Sequence, residues 1–207
     1  MDRRTANILV AVGTLAALLY AVGGMPVNKI LAYVRAVLDG AKRAGKVYNL
    51  PSWLFITAGG HESAMGLSKL ALLHNNFFGF TADSPSDPWN VAGKPRVNMP
   101  THEWVSKPAQ GDVVVSQSTK MVEGKPVITY YVARPRWFRK YATPYDSFLD
   151  YGRLLTTAPR YAPAVVAARK GDIAETWKAL GSSGYATDPG YGTKLAGVYR
   201  SVAQYIS

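Results

Sequence analysis

Residues 56–82 read ITAGGHESAMGLSKLALLHNNFFGFTA, and the reading of the whole chain turns on their single carboxylate, Glu62. Small and apolar residues surround it. An unpaired buried charge costs several kcal/mol unless it is protonated or put to use. Pro51 suits the first turn of a helix, and Trp53 to Ser63 predicts a short apolar helix with Glu62 near its C-terminal end. Ser68 to His74 adds another turn, followed by a loop. An acid at a helix end beside a loop can face a cleft while its base stays packed.

Toward the N-terminus, Pro26 to Val47 predicts an amphipathic helix, with Ile30, Leu31, Val34, Val37 and Leu38 at helical spacing. Before it, Thr5 to Asn28 carries no charge and Ile8 to Val22 is almost wholly apolar. About 20 apolar residues span a bilayer. Arg3 and Arg4 precede the run, as in a signal peptide or an anchor held with its N-terminus in the cytoplasm. No Ala-x-Ala cleavage site follows. The expectation is an N-terminal transmembrane helix over residues 1–27, as anchor or signal segment, ahead of one domain over residues 28–207.

Toward the C-terminus, residues 75–100 are loop-rich in Gly, Pro, Asn and Asp, and residues 83–126 are the least regular region. Within residues 111–132, two β-branched runs flank Glu123-Gly124-Lys125-Pro126, which predicts a β-hairpin. Helical patterning resumes at Pro144, where Phe148, Tyr151, Leu154 and Leu155 share a face. A further helix starts at Asp172 as N-cap, and a last one follows Asp188-Pro189, a cap and first-turn signature. The expected fold is mainly α with a small β-hairpin lobe, in the α+β class.

The 207-residue chain has 24 Lys+Arg against 13 Asp+Glu, a net charge of +11, and no cysteine. The excess favours a polyanion or an anionic surface. The basic residues are scattered, and neither zinc-finger spacing nor a Walker loop occurs, so nucleic acid is not the expected partner. Absence of cysteine excludes disulfides, a thiol nucleophile and thiolate metal sites. His61 and His74 lack a Cys or Asp/Glu cluster at ligand spacing. They read as polar wall or packing residues, and neither metal nor cofactor is expected.

Three segments in order resemble the glucosaminidase-type peptidoglycan hydrolases, glycoside hydrolase family 73. Residues 56–82 resemble the Ala-x-x-Glu-Ser-x-x-Gly-x-Ser … Asn-x-Phe-Gly motif. WFRKYATPYDSFLDYGRLLTTAPRYAPAV, residues 137–165, resembles the Phe-Arg-x-Tyr stretch and the helix after it. GYATDPGYGTKLAGVY, residues 184–199, is similar to the Gly-Tyr-Ala-Thr-Asp-x-x-Tyr-x-x-Lys-Leu ending. The resemblance covers the chain from about residue 28. It implies a lysozyme-like fold: a helical lobe, a small β-hairpin lobe and a cleft between them.

It also implies chemistry. Cleaving a glycosidic bond needs an acid to protonate the departing oxygen, and apolar surroundings keep a carboxyl protonated near neutral pH. Glu62 takes that role, with Gly59 and Gly60 expected to let sugar approach the backbone. A second carboxylate in a Thr-x-Glu-Tyr/Trp context is expected from the hairpin lobe. Thr101-His102-Glu103-Trp104 fits it, with Glu123 behind Glu103. If the hairpin is aligned at Glu123-Gly124 instead, Lys120 falls where that acid should be. One tyrosine of the ending should face the acid, with Tyr185 favoured over Tyr191. Asn76 and Phe78 are assigned to the substrate site, as support under the acid. Trp104 is assigned to substrate binding by stacking on sugar faces, and Trp89 and Trp137 are candidates for the same.

The implied activity is peptidoglycan hydrolysis of the endo-β-N-acetylglucosaminidase type, with glycan strands as partner, in a protein anchored in the inner membrane and facing the periplasm or cell wall, or carried on a phage particle. Two alternatives remain open. One is lysozyme or lytic-transglycosylase-type muramidase activity. The other is a weakly active, membrane-anchored wall-binding component of a phage particle or secretion apparatus.

Overall fold

A computed structural model describes residues 27–186 and 188–206, which divide into two compact units. The helical unit takes the chain up to Phe80 and from Lys140 onward, and the sheet unit is Thr81–Arg139.

The helical unit begins with α1, Val27–Tyr48. Its buried stripe is Ile30, Tyr33, Val34, Val37, Ala41 and Ala44, while Arg35, Lys42, Arg43 and Lys46 stay exposed. Helix α2, Ser52–Glu62, is buried from Leu54 to Glu62. It has no polar face, so its neighbours must cover it on every side. Close packing there needs the two glycines: a Cβ on Gly59 would lie 3.0 Å from the Tyr33 hydroxyl, and one on Gly60 3.0 Å from both Tyr33 Cε1 and Met65 Sδ. These glycines serve helix packing, which corrects the expectation that they admit sugar to the backbone.

Helix α3, Lys69–His74, is capped by the Ser68 hydroxyl, which accepts from Ala71 N–H. Asn75 ends it in the left-handed region and donates to the carbonyls of Tyr141 and Ala142, tying the loop to the chain's return. Within the sheet unit, α4 is Pro88–Val91. Helix α5, Pro144–Thr157, opens with Asp146 accepting from the Thr143 N–H (2.9 Å) and hydroxyl (2.7 Å). Its Phe148, Tyr151 and Leu155 are buried, and Phe148 packs its ring against Phe55, Phe77 and Phe78.

Helices α6, Ala162–Arg169, and α7, Ile173–Ser182, follow, the latter capped by Asp172 as the sequence predicts. Helix α8 is Tyr191–Val202. It starts later than Asp188-Pro189 suggests, because the Asp188 carboxylate bonds the N–H of Gly190 and the helix opens after that turn.

The sheet unit holds three antiparallel strands in the order β1-β3-β2. They are β1 (Arg96–Val105), β2 (Val113–Val122) and β3 (Lys125–Arg139). Glu123 and Gly124 form the expected hairpin turn with φ of +49° and +75°. Two left-handed residues match the strand twist of a tight hairpin. The region expected to be irregular is partly strand: β1 pairs with β3 from Arg96↔Arg139 to Val105↔Tyr130. Its alternation was hard to read because Arg96, Asn98, Pro100 and His102 occupy the exposed positions.

One part of the expected fold is withdrawn. Among the described residues no helix is long and apolar enough to cross a membrane. The run proposed as a transmembrane helix falls almost wholly outside the described residues. The first described helix, α1, carries charges along its length and a single buried stripe, the pattern of an amphipathic helix packed on a core. The transmembrane helix, and with it the membrane as a partner, is not supported.

Phe148 joins α5 to α2 and to the loop after α3. Phe148→Ala should destabilise the chain by about 3–5 kcal/mol, the usual range for deleting a buried aromatic ring. Denaturant unfolding measures this, and a loss under about 1 kcal/mol would remove Phe148 from the core described here.

Candidate active site

Glu62 is the last residue of α2 and is 4% exposed. Past it the chain turns sharply. Ala64, Met65 and Gly66 have φ of +53°, +56° and +76°. Left-handed backbone at two consecutive non-glycine residues costs roughly 1–2 kcal/mol each. The turn is held by Ser63, whose hydroxyl donates to the Gly59 carbonyl and accepts from Gly66 N–H (2.8 Å). Met65 N–H also reaches back to the Gly60 carbonyl (2.7 Å). These bonds end the helix at Glu62 and hold its carboxyl in place.

The carboxyl has one direct side-chain partner among the described residues. The Tyr191 hydroxyl, from the first residue of α8, donates to Glu62 Oε1 at 2.8 Å. Burial pushes the Glu62 carboxyl up to about 7, and the Tyr191 bond offsets only part of that rise. With Oε1 accepting a hydrogen bond, the proton belongs on Oε2.

Behind this pair lies a layer of tyrosines. Tyr185 stacks on Tyr191 with centroids 5.5 Å apart, and Tyr151 meets Tyr185 edge-on at 5.9 Å. Burial first, with the neighbouring Glu62 and tyrosine groups behind it, holds all three phenols well above their ordinary value, so each stays neutral. Among the described residues, the hydroxyls of Tyr151 and Tyr185 are buried without a hydrogen-bond partner. The ending was expected to offer Tyr185 to the acid, but Tyr191 makes the bond. The first turn of α8 aims Tyr191 at α2, while Tyr185, six residues earlier in the preceding loop, packs one ring further back.

Asn76 and Phe78 are 1% and 0% exposed, with no surface for a ligand. Asn76 clamps the turn after α3, donating to the Phe80 carbonyl (2.9 Å) and accepting from Phe80 N–H (3.0 Å). Phe78 stacks on Tyr151 at 4.1 Å with planes 4° apart. Both support the tyrosine layer from beneath.

His61 is 7% exposed and lies against the Tyr191 ring at 5.4 Å. Burial, and then the Lys194 charge, push its imidazole down to about 4 against the opposing pull of Asp188. It is therefore neutral near pH 7. Asp188 and Lys194 are joined in an ion pair. Among the described residues no group of three His, Cys, Asp or Glu side chains could hold a metal.

Glu103 and Trp104 belong to the sheet unit. Successive strand residues point to opposite faces, so these two neighbours face opposite sides of the sheet. Arg134 donates to Glu103 Oε1 at 2.6 Å and forks onto both oxygens of Asp112, also at 2.6 Å. The guanidinium holds the Asp112 carboxyl down at about 2. The sequence reading missed this triad. Thr101↔Arg134 register brings Glu103 beside Arg134, and that register is invisible before β1 is known to be a strand. Glu123 sits in the hairpin turn.

Residues 38–204 match the glucosaminidase family, described as mannosyl-glycoprotein endo-beta-N-acetylglucosaminidase. The chain belongs to the glucosaminidase family. Within this chain, 93 residues are 34% identical to the peptidoglycan hydrolase FlgJ of Vibrio parahaemolyticus. The match covers 45% of the present chain but only 28% of that protein. Solved structures share the fold of this glucosaminidase-family chain. The catalytic domain of the autolysin Auto from Listeria monocytogenes aligns with TM-score 0.57 at 19% identity, over 90% of this chain and 91% of that one. A C-terminally truncated glycoside hydrolase domain of FlgJ from Salmonella typhimurium aligns with TM-score 0.57 at 22% identity, over 84% and 98%. A peptidoglycan hydrolase from Sphingomonas sp. A1 aligns with TM-score 0.56 at 23% identity, over 86% and 95%.

The raised carboxyl makes a stability prediction. Unfolded, Glu62 titrates near 4.5; folded, near 7. The folded state holds a proton that the unfolded chain has released, so stability from this group is full below about pH 4.5 and is lost as pH rises through about 7. Glu62→Gln abolishes that loss. Its stability should gain on the native chain by roughly 3 kcal/mol between pH 4.5 and 8. Urea unfolding across this range reads the gap, and parallel curves would show that Glu62 is not buried in the folded chain.

Proposed function

We propose that this chain is a peptidoglycan hydrolase that cleaves the glycan strand at N-acetylglucosaminyl bonds, with Glu62 as general acid. The observation that carries the proposal is a buried carboxyl poised near pH 7 at the end of a strained helix terminus, with the neutral Tyr191 phenol as partner. Family membership supports the bond type, and the wall-degrading relatives support the substrate.

In this mechanism Glu62 Oε2 gives its proton to the glycosidic oxygen as the C–O bond breaks, and the departing sugar leaves as an alcohol. The remaining ring carbon takes on oxocarbenium character. Tyr191 holds the carboxyl in one orientation and supports the carboxylate as it forms. Neutral His61 and the Asp188-paired Lys194 add no strong positive field that would strip the proton before the reaction. Tyr185 acts through Tyr191, and Asn76 and Phe78 through the layer beneath. Glu103 assists as base or charge stabiliser, positioned by Arg134.

That ion pair also favours a second route. Glu103 is tied to the guanidinium that also holds Asp112, so it must leave that ion pair before it can take a proton. The substrate's own N-acetyl oxygen then attacks the ring carbon as the leaving oxygen takes the Glu62 proton, and water opens the cyclic intermediate while returning a proton to Glu62, the only essential carboxyl. In either route the protein works where glycan strands are exposed, on the wall side of the cell.

Glu62→Gln is nearly isosteric but cannot donate the proton. It should lower muropeptide release by at least the ~10²–10⁴-fold typical of general acid catalysis, with folding intact. A folded variant that clears sacculi at the native rate would end the proposal. Glu103→Gln should retain more activity than Glu62→Gln, and Glu123→Gln, in an exposed turn, should remain near native. If Glu103→Gln is as active as Glu123→Gln, the substrate-assisted route replaces the two-carboxylate one. Mass spectrometry of the released muropeptides identifies the bond. A new N-acetylglucosamine reducing end is expected, and an N-acetylmuramic acid or anhydro end would mark muramidase-type cleavage.

A further inference from the structure

The two edges of the sheet are built differently. β1 carries Pro100 between Arg96 and Glu103, and proline and charge are the usual guards of an open strand edge. β2, the other edge, reads VVVSQSTKMV, with one charge, Lys120, and no proline. Every position of β2 but Ser118 is exposed. Its apolar residues fall in two groups, Val113, Val114 and Val115 at one end, Met121 and Val122 at the other, and each of the five side chains is at least half-exposed. Together they leave several hundred Å² of apolar surface in water, the extent that marks an interaction surface.

The backbone of β2 is set out to receive a further strand. The two-residue turn at Glu123-Gly124 makes Val122↔Lys125 a hydrogen-bonded pair, and such pairs recur at every second residue of an antiparallel ladder. Lys120 and Ser118 therefore spend their N–H and C=O groups on β3, and from that side the Thr129 hydroxyl donates to the Ser118 carbonyl (3.4 Å). Gln117, Thr119 and Met121 turn theirs to the open edge. Val115 lies in the bulge between Val114 and Ser116, outside the β2–β3 register, and the bulge ends the straight run there.

We propose that β2 pairs antiparallel with β2 of a second copy, Ser118 opposite Ser118, so that the chain forms a twofold dimer with one sheet continuous across both copies. The apolar, polar, apolar order of the strand is self-complementary in this register. Val115 meets Met121 of the other copy, Ser116 meets Lys120, and Gln117 meets Thr119, whose outward backbone groups exchange hydrogen bonds in both directions. The two Lys120 side chains are offset by about 13 Å along the strands, where physiological salt screens most of their repulsion. A parallel copy in register would set them side by side. Because the guarded β1 edges stay outside, the pairing closes at two copies and does not extend into a fibre. One strand edge and its apolar ends reach the lower limit of specific interfaces, about 1,200 Å² in total, so the dimer should form at micromolar concentrations. In a peptidoglycan hydrolase such a dimer carries two sites, and one holds the insoluble wall while the other turns over.

Sedimentation velocity of the full chain, at about 0.15 M salt to screen the repulsion between copies, should show a monomer–dimer equilibrium in the micromolar range. The chain has no cysteine, so a single introduced thiol reports the register. Ser118→Cys places two Cα atoms about 4.5 Å apart in a non-hydrogen-bonded pair, within disulfide reach, and should yield a covalent dimer on mild oxidation. Lys120→Cys, about 13 Å from its counterpart, should not. Thr119→Pro removes an N–H that faces the open edge and none that faces β3, so the folded variant should dimerise at least about tenfold more weakly. Near-ultraviolet circular dichroism checks its fold, and if it does not fold the two cysteine variants decide alone. A native chain that stays monomeric overturns the proposal and leaves the edge to a foreign strand. Equal cross-linking at the two cysteines overturns it too, as does undiminished dimerisation of folded Thr119→Pro, which would put the association elsewhere in the chain. These readouts are independent of activity, so loss of the hydrolase reading would leave the result on pairing intact.

Discussion

A carboxyl buried with one hydrogen-bond donor is the constraint around which the helical unit is arranged. Glu62 ends a helix with no solvent-facing side, and desolvation alone favours its protonated form. To bury α2 so completely, its neighbours must come close. Gly59 and Gly60 leave room for Tyr33, whose hydroxyl donates to the Ile56 carbonyl at 2.8 Å, and Phe148 fills the space beyond Gly59. The left-handed run from Ala64 to Gly66 is a further cost of stopping the helix there. Packing of the aromatic core offsets it.

The environment of the acid is polar without being charged. Three phenols, each held neutral by burial, and an imidazole with its proton affinity pushed down surround or back the carboxyl. Asp188 and Lys194, the charges that act on His61, are joined in an ion pair. A free cation in the position of His61 would pull the Glu62 proton off at neutral pH and remove the acid. Orientation comes from Tyr191, and Tyr191 is placed by the turn that the Asp188 carboxylate holds before α8.

The sheet unit solves a different problem. Its strands separate functions by the two-residue period. One face keeps Glu103, Arg134 and Asp112 in a shared ion-pair network, where each charge has a partner. The other leaves rings and basic groups open. Glu103 and Trp104 are adjacent in the chain and face opposite sides of the sheet.

The sequence by itself determined the helices with strong period or clear caps, such as α1, α5 and α7, and the Glu123-Gly124 hairpin, because periodicity and turn chemistry are local. It also singled out Glu62, since one acid among small apolar residues is a local anomaly. It did not reveal β1, whose exposed face is polar, nor the length of β3. Three matters were decided only by tertiary structure: that Tyr191 rather than Tyr185 meets the acid, that Gly59 and Gly60 are packing residues, and that Glu103 shares Arg134 with Asp112. Each depends on contacts between residues from 22 to 129 positions apart. Which of two similar tyrosines reaches a carboxylate depends on where a helix starts and how it leans on another. That is set by the packing of the whole unit, and no short stretch of chain contains it.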